Sequence, residues 1–340
     1  MLSSAPLSPT IAPRGFRRIA PALGLFFLAP FVAEFLLGNI SISAIFALLF
    51  LAPLYGGGAL AVREIARRCG RGWPTMVLLA LAYGLIEEGV VIQTLFNPNY
   101  LGLHLLAEAN IPSLGMGGWW TPFVLTLHTV WSISVPIVII EALFPDRRET
   151  PWLGKTGIGI SIFLLLAGGA VIHFAMNKQD PFKASPLQLI STIAAIGVLG
   201  LLAFRFKKGN ATRRGAAPNP WVIGIATFLL GLGFMSAHGF LSGWSVVGVY
   251  TLIYTIVIVL LTSWSRHANW SPLHTLAAGG GAMLTYACTA FPQQPVVGAK
   301  GTVDLVGNTI FAIIAIWLLI LAVKSERKAA NGKSSNDSQG

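Results

Sequence analysis

Apolar residues come along this chain in runs of about twenty, separated by short segments where arginine, proline and asparagine collect. A bilayer's hydrocarbon core takes about 20 mostly apolar residues to cross as a helix, so each run reads as one membrane span. Ten runs are centred near Phe27, Phe50, Gly84, Trp131, Leu164, Ala194, Leu230, Thr255, Gly281 and Ile314. The pattern predicts an all-α, polytopic transmembrane helical bundle of about ten spans over residues 19–325. The flanking segments 1–18 and 326–340 are predicted as cytoplasmic tails, the second disordered, since they are rich in Ser, Pro, Asn, Gly and Lys. The longest connections, 97–118 and 205–218, are too short for a soluble domain. Within the first, the apolar patch 101–107 reads as a short helix lying along the interface.

Basic residues give a second, independent account of the same spans, because short loops rich in lysine and arginine stay on the cytoplasmic side. With the N-terminus inside, every one of the 23 lysines and arginines except Lys178, Lys183 and Lys300 falls on the inner side. An even number of spans and two cytoplasmic termini follow, in a cell membrane. The formal net charge of +11 is therefore a topology signal. No nucleic-acid motif or aromatic-basic interleaving accompanies it, which excludes a nucleic-acid partner and leaves the lipid bilayer as the expected one. Arg14 to Arg18 ahead of an apolar run is reminiscent of a secretory signal, but the run is too long and lacks a small-residue cleavage site after Gly38. Cys69 and Cys288 fall at opposite ends of the bundle, too far apart to form a disulfide.

Against this apolar background the adjacent carboxylates Glu87 and Glu88 stand out. A charged side chain at mid-membrane costs roughly 2.5–3.5 kcal/mol on insertion scales, so a pair requires a polar cavity, a partner or a proton. The third helix runs outward and the fourth inward. At a rise of about 1.5 Å per residue, Glu87 and His128 lie at matching depths, roughly 12–13 Å below the outer surface. Consecutive antiparallel helices are the ones most often side by side. His173 and Asn177 share one face of the fifth helix, four residues apart, but about 10 Å shallower. Glu34 in the first span and His238 in the seventh also lie toward the outer ends; both read as packing or interfacial groups rather than catalysts.

Glu87-Glu88, His128 and His173-Phe-Ala-Met-Asn177 resemble the CAAX-protease and bacteriocin-processing family of intramembrane proteases. That family's pattern is Glu-Glu-x-x-x-Arg, Phe-x-x-x-His and His-x-x-x-Asn on successive helices. The last motif matches in full; the arginine position is Ile92, and Val124 stands at the phenylalanine position, with Phe123 one residue away. The resemblance runs from Glu87 to Asn177, within a protease-like core at 74–205. It implies peptide-bond hydrolysis in the membrane on a peptide or membrane-protein substrate. Glu87 would activate a water and Glu88 orient or buffer it, with His128, His173 and Asn177 supporting the water or the oxyanion. Ile92 removes the charge partner of Glu88, leaving it neutral or the protein catalytically silent.

Elementary chemistry supports part of this. Burial raises a carboxylate's proton affinity, as a base in a dry site requires, and two adjacent carboxylates repel as anions, so one holds a proton while the other acts. Successive residues point about 100° apart on a helix, so the two do different work. Each residue also has a plainer role: a protonated pair packing helices for Glu87 and Glu88, a packing histidine near Trp131 and Ser132 for His128, an interfacial cap for His173 and Asn177. Glu and His side chains are zinc donors, so a metal site is a minor alternative, but no His-Glu-x-x-His run or cysteine cluster supports it, and the reading assigns neither a metal ligand nor a cofactor. The rival functions are a proton-coupled transporter and a non-catalytic scaffold or immunity protein. The triple glycines at 56–58 and 279–281 do not occupy equivalent places in two halves, so they read as close helix packing rather than an inverted repeat. Glu64 and Arg68 read as a solvated i,i+4 pair.

Overall fold

The structure, a computed structural model, describes residues 16–206 and 215–337. Arg14, Lys207, Lys208, Arg213 and Arg214 of the charge pattern, and the segment before residue 16, lie outside the described residues. All ten apolar runs are helical. The first two are α1 (Phe16–Pro30), extended by a π-helical segment at Phe31–Phe35, and α2 (Ala47–Arg68). The third is α3 (Trp73–Leu85), which continues as a π segment at Ile86–Val91. The fourth comprises α4 (Trp120–Thr126), a π segment at Leu127–Ser134 and α5 (Val135–Leu143). Then come α6 (Lys155–Gln179), α7 (Pro186–Ala203), α8 (Pro220–Phe240), α9 (Trp244–Trp264), α10 (Pro272–Thr289) and α11 (Thr302–Asp337). Proline opens α7, α8 and α10 at the first turn, where its missing N–H costs nothing. Ser185 and Gln188 close a capping box on α7. Among the described residues nine helices are long and apolar enough to cross a membrane; α10, 18 residues rich in glycine and alanine, sits in the interior.

Glycine sets how closely the inner helices approach. A Cβ at Gly57 would stand 2.8 Å from the Leu165 nitrogen, and one at Gly168 2.6 Å from the Leu54 nitrogen, so α2 and α6 meet backbone to backbone. Gly281 of α10 is pressed as tightly on α8, 2.3 Å from the Gly224 carbonyl oxygen by the same measure. Helices α6 to α9 form an outer layer whose Phe163, Leu187, Trp221 and Ile258 project outward, as lipid-facing residues do. The buried core comes mainly from α1, α2, α3, the fourth span, α10 and α11, joined by Phe234 and Ala237 of α8 and Val246 and Tyr250 of α9.

Four local expectations are corrected. The apolar stretch at 74–96, which as a sequence reads as one span, is helical only to Val91, because Gln93 takes a left-handed φ of 66° and stops the helix. Residues 101–107 form turns after a 3₁₀ turn at Tyr100–Gly102 rather than an interfacial helix; Leu101 and His104 both have positive φ. Two two-residue strands, Asn110–Ile111 and Met116–Gly117, pair in this connection where none was expected. At the other end α11 runs to Asp337 through the expected disordered tail, anchored where Arg148 pairs with Glu326.

The arginine-rich end is not simply solvated. Arg63 and Glu64 are fully buried, and Arg63 Nη1 lies 2.6 Å from Glu64 Oε1. Glu141 of α5 accepts from Arg63 Nε at 3.0 Å and from Arg67 Nη2 at 2.6 Å. Glu64 also accepts from the backbone N–H of Trp152 at 2.9 Å, and the Arg63 guanidinium stacks on the Trp152 ring, 3.4 Å from its centroid. The expected Glu64–Arg68 pair exists at 3.9 Å, but as the rim of a buried network.

Candidate functional site

Three membrane helices lose their α register once each, and each place carries an ionisable residue. The π segment Phe31–Phe35 holds Glu34, Ile86–Val91 holds Glu87 and Glu88, and Leu127–Ser134 holds His128. A π insertion widens the turn and re-aims side chains, which is why such segments gather at functional sites. Gly84 lets the fourth span come close: a Cβ there would be 3.3 Å from the His128 Cβ.

Glu87, Glu88 and His128 converge and are buried, at 0%, 4% and 6% exposure. His128 Nε2 is hydrogen-bonded to Glu88 Oε1 at 2.7 Å, and Ser132 Oγ lies 3.2 Å from Nδ1. The Thr94 hydroxyl donates to Glu88 Oε2, and Trp120 Nε1 donates to Thr94 Oγ1 at 3.1 Å. Both oxygens of Glu88 are thus committed. Glu87 is the opposite case: His128 Nδ1 stands 3.0 Å from its Oε2, yet neither carboxylate oxygen completes a hydrogen bond. The distance suits a bond and the direction does not, so we treat Glu87 as an acceptor without a donor.

A tyrosine pair encloses the three. Tyr55 stacks on His128 with centroids 6.1 Å apart, and its hydroxyl is bonded to Glu34 Oε1 at 2.5 Å. Asn39 Nδ2 donates to the other Glu34 oxygen at 2.6 Å. Tyr83, four residues before Glu87 and so on its helix face, packs edge-on to His128, and its buried hydroxyl has no partner. Sequence reasoning missed Tyr55, Tyr83, Thr94 and Trp120, named Ser132 only as a packing neighbour of His128, and set Glu34 aside.

His173 and Asn177 are not brought into this cluster. His173 Nδ1 donates to the Val91 carbonyl oxygen at 2.7 Å, one turn beyond the carboxylates. With Asn177, Ile92, Gln93, Asn97, Tyr100 and Asp180 it lines a separate hollow between the end of the third span and α6. Burial, and then the Glu88 carboxylate, push the Tyr100 phenol above its ordinary range, so its hydroxyl remains a donor there. Asp180 accepts from Asn97 Nδ2 and the Leu101 N–H, both at 2.9 Å, closing the hollow's outer side. His238 is elsewhere, stacked on Trp119 with centroids 4.0 Å apart and 3.6 Å from Glu108. Phe123 belongs to an aromatic stack with Phe234 and Tyr250.

Fold and site together define a polytopic membrane protein with ionisable groups gathered in its interior. Residues 23–329 match the model of an uncharacterized membrane protein family, and the chain belongs to that family. No curated protein and no solved structure matches it.

Proposed function

We propose that this protein is an intramembrane hydrolase of the peptidase type, akin to the CAAX-protease family, in which Glu87 activates a water. The observation that carries the reading is the inequality of the two carboxylates: Glu88 is tied on both oxygens, while Glu87, fully buried, is tied on neither. A general base needs a lone pair not already engaged, and Glu87 offers one that Glu88 does not. Glu88 and Thr94 orient His128, whose ring lies over the same space. The Tyr83 hydroxyl, buried beside His128, would donate to the oxyanion, a role the sequence resemblance implied for His173 and Asn177. Those two line the separate hollow beyond the end of the third span instead. Ile92 lines that hollow as well, so the place of the family's arginine is occupied by an apolar wall. We place the arginine-rich end in the cytoplasm of a cell membrane, following the charge pattern.

The test is cleavage of membrane-anchored peptides by protein reconstituted in proteoliposomes. Glu87→Gln is expected to lower cleavage about 10²–10⁴-fold, the usual worth of a general base. Cleavage by Glu87→Gln at the wild-type rate would end the proposal. Proton-coupled uptake lost on the same substitution, with no cleavage by wild type, would replace it with transport.

A further inference from the structure

We propose that Glu87, Glu88 and His128 form a binding site for one divalent first-row transition-metal cation. One ligand atom from each of the three lies within 4.8 Å of the others. A cation about 2.0–2.2 Å from each donor holds its ligands at separations of that order, so small side-chain shifts complete the shell. Independent support comes from Glu87 itself, fully buried, with two acceptor oxygens and no donor for either. A buried carboxylate in that condition is an incomplete structure, since it must be paired, protonated or bound to a metal.

Charge balance favours the metal. With the imidazole neutral, as a metal ligand must be, two ionised carboxylates carry two negative charges, and among the described residues no lysine or arginine pairs with either. One divalent cation cancels them within the bilayer. The donors are oxygen and imidazole nitrogen without thiolate, which suits zinc, manganese or ferrous iron. Outer hydrogen bonds are in place to hold the ligands: Ser132 Oγ beside His128 Nδ1, and Thr94 on the second oxygen of Glu88. Three protein ligands leave a position open, as catalytic metal sites do. The site deepens the hydrolase reading, since the open position would take its water, but metal binding stands or falls by itself. Sequence spacing gave no hint of it because its ligands are two neighbours and one residue from the next helix.

The experiment is elemental analysis of protein purified in detergent, washed with chelator, offered zinc, manganese or ferrous iron in turn, and passed through gel filtration. We expect about one metal per chain in wild type for at least one of them, with cobalt substitution giving visible absorption that zinc displaces. Glu87→Gln, Glu88→Gln and His128→Ala should each retain less than a tenth of the metal, whereas Glu34→Gln retains it. Should a ligand variant fail to fold, the wild-type stoichiometry and the cobalt spectrum still decide. Wild type holding less than a tenth of an equivalent of every metal overturns the proposal. Peptide cleavage by such metal-free protein would do so while leaving the hydrolase reading intact; stoichiometric metal without cleavage would do the reverse.

Discussion

Tyr83 can face Glu87 only because residue 58 has no side chain. A Cβ on Gly58 would lie 2.2 Å from the Tyr83 ring, a distance no rotamer change of a buried ring easily relieves. Gly58→Ala is therefore expected to cost about 1–3 kcal/mol by overpacking. It should also displace Tyr83 and lower any Glu87-dependent activity. Gly200 of α7 provides the control, since a Cβ there meets nothing within 4 Å. Gly200→Ala should be neutral or gain about 0.5–1 kcal/mol of helix stability. Thermal unfolding of the two variants in one detergent checks the pair, and equal shifts would refute the packing argument.

At the scale of elements, the membrane runs were legible because bilayer thickness fixes span length, and the Glu87–His128 pairing because two consecutive helices share a depth scale. The π segments were not. Glu34 and His128 interrupt the apolar pattern of Phe31–Phe35 and Leu127–Ser134, but no residue there specifies a π turn over an α turn; the inserted residue depends on what packs beside it. Tyr55 and Tyr83 look like any aromatic residue in an apolar run, so the enclosure of His128 was invisible too. The arginine-rich end was misread for a related reason: Arg63 and Arg67 seem solvated until Glu141, more than seventy positions later, folds against them. Among the described residues, removing that common partner leaves Arg63 with Glu64 alone as an anion and Arg67 with only the exposed Glu149. Glu141→Ala is thus expected to cost about 3–5 kcal/mol. A detergent unfolding curve indistinguishable from wild type would show that the network is not buried as described.

Across the whole molecule the two polar assemblies sit apart: the arginine network gathers at one end, around Arg63, Arg67 and Arg148, while the carboxylate site lies toward the other ends of α1 and α3. On the cytoplasmic placement proposed from the charge pattern, the hollow beside His173 lies toward the opposite face. The two cysteines report this orientation without any engineering, as both are free and exposed. Cys69 caps α2 beside the arginines, and Cys288 lies in the last turn of α10, near the opposite end. In intact cells a membrane-impermeant maleimide should label Cys288 and spare Cys69, with Cys69 reacting only after permeabilisation. Cys69→Ser and Cys288→Ser separate the two signals. Labelling of Cys69 in sealed cells would invert the molecule, placing the hollow toward the cytoplasmic side.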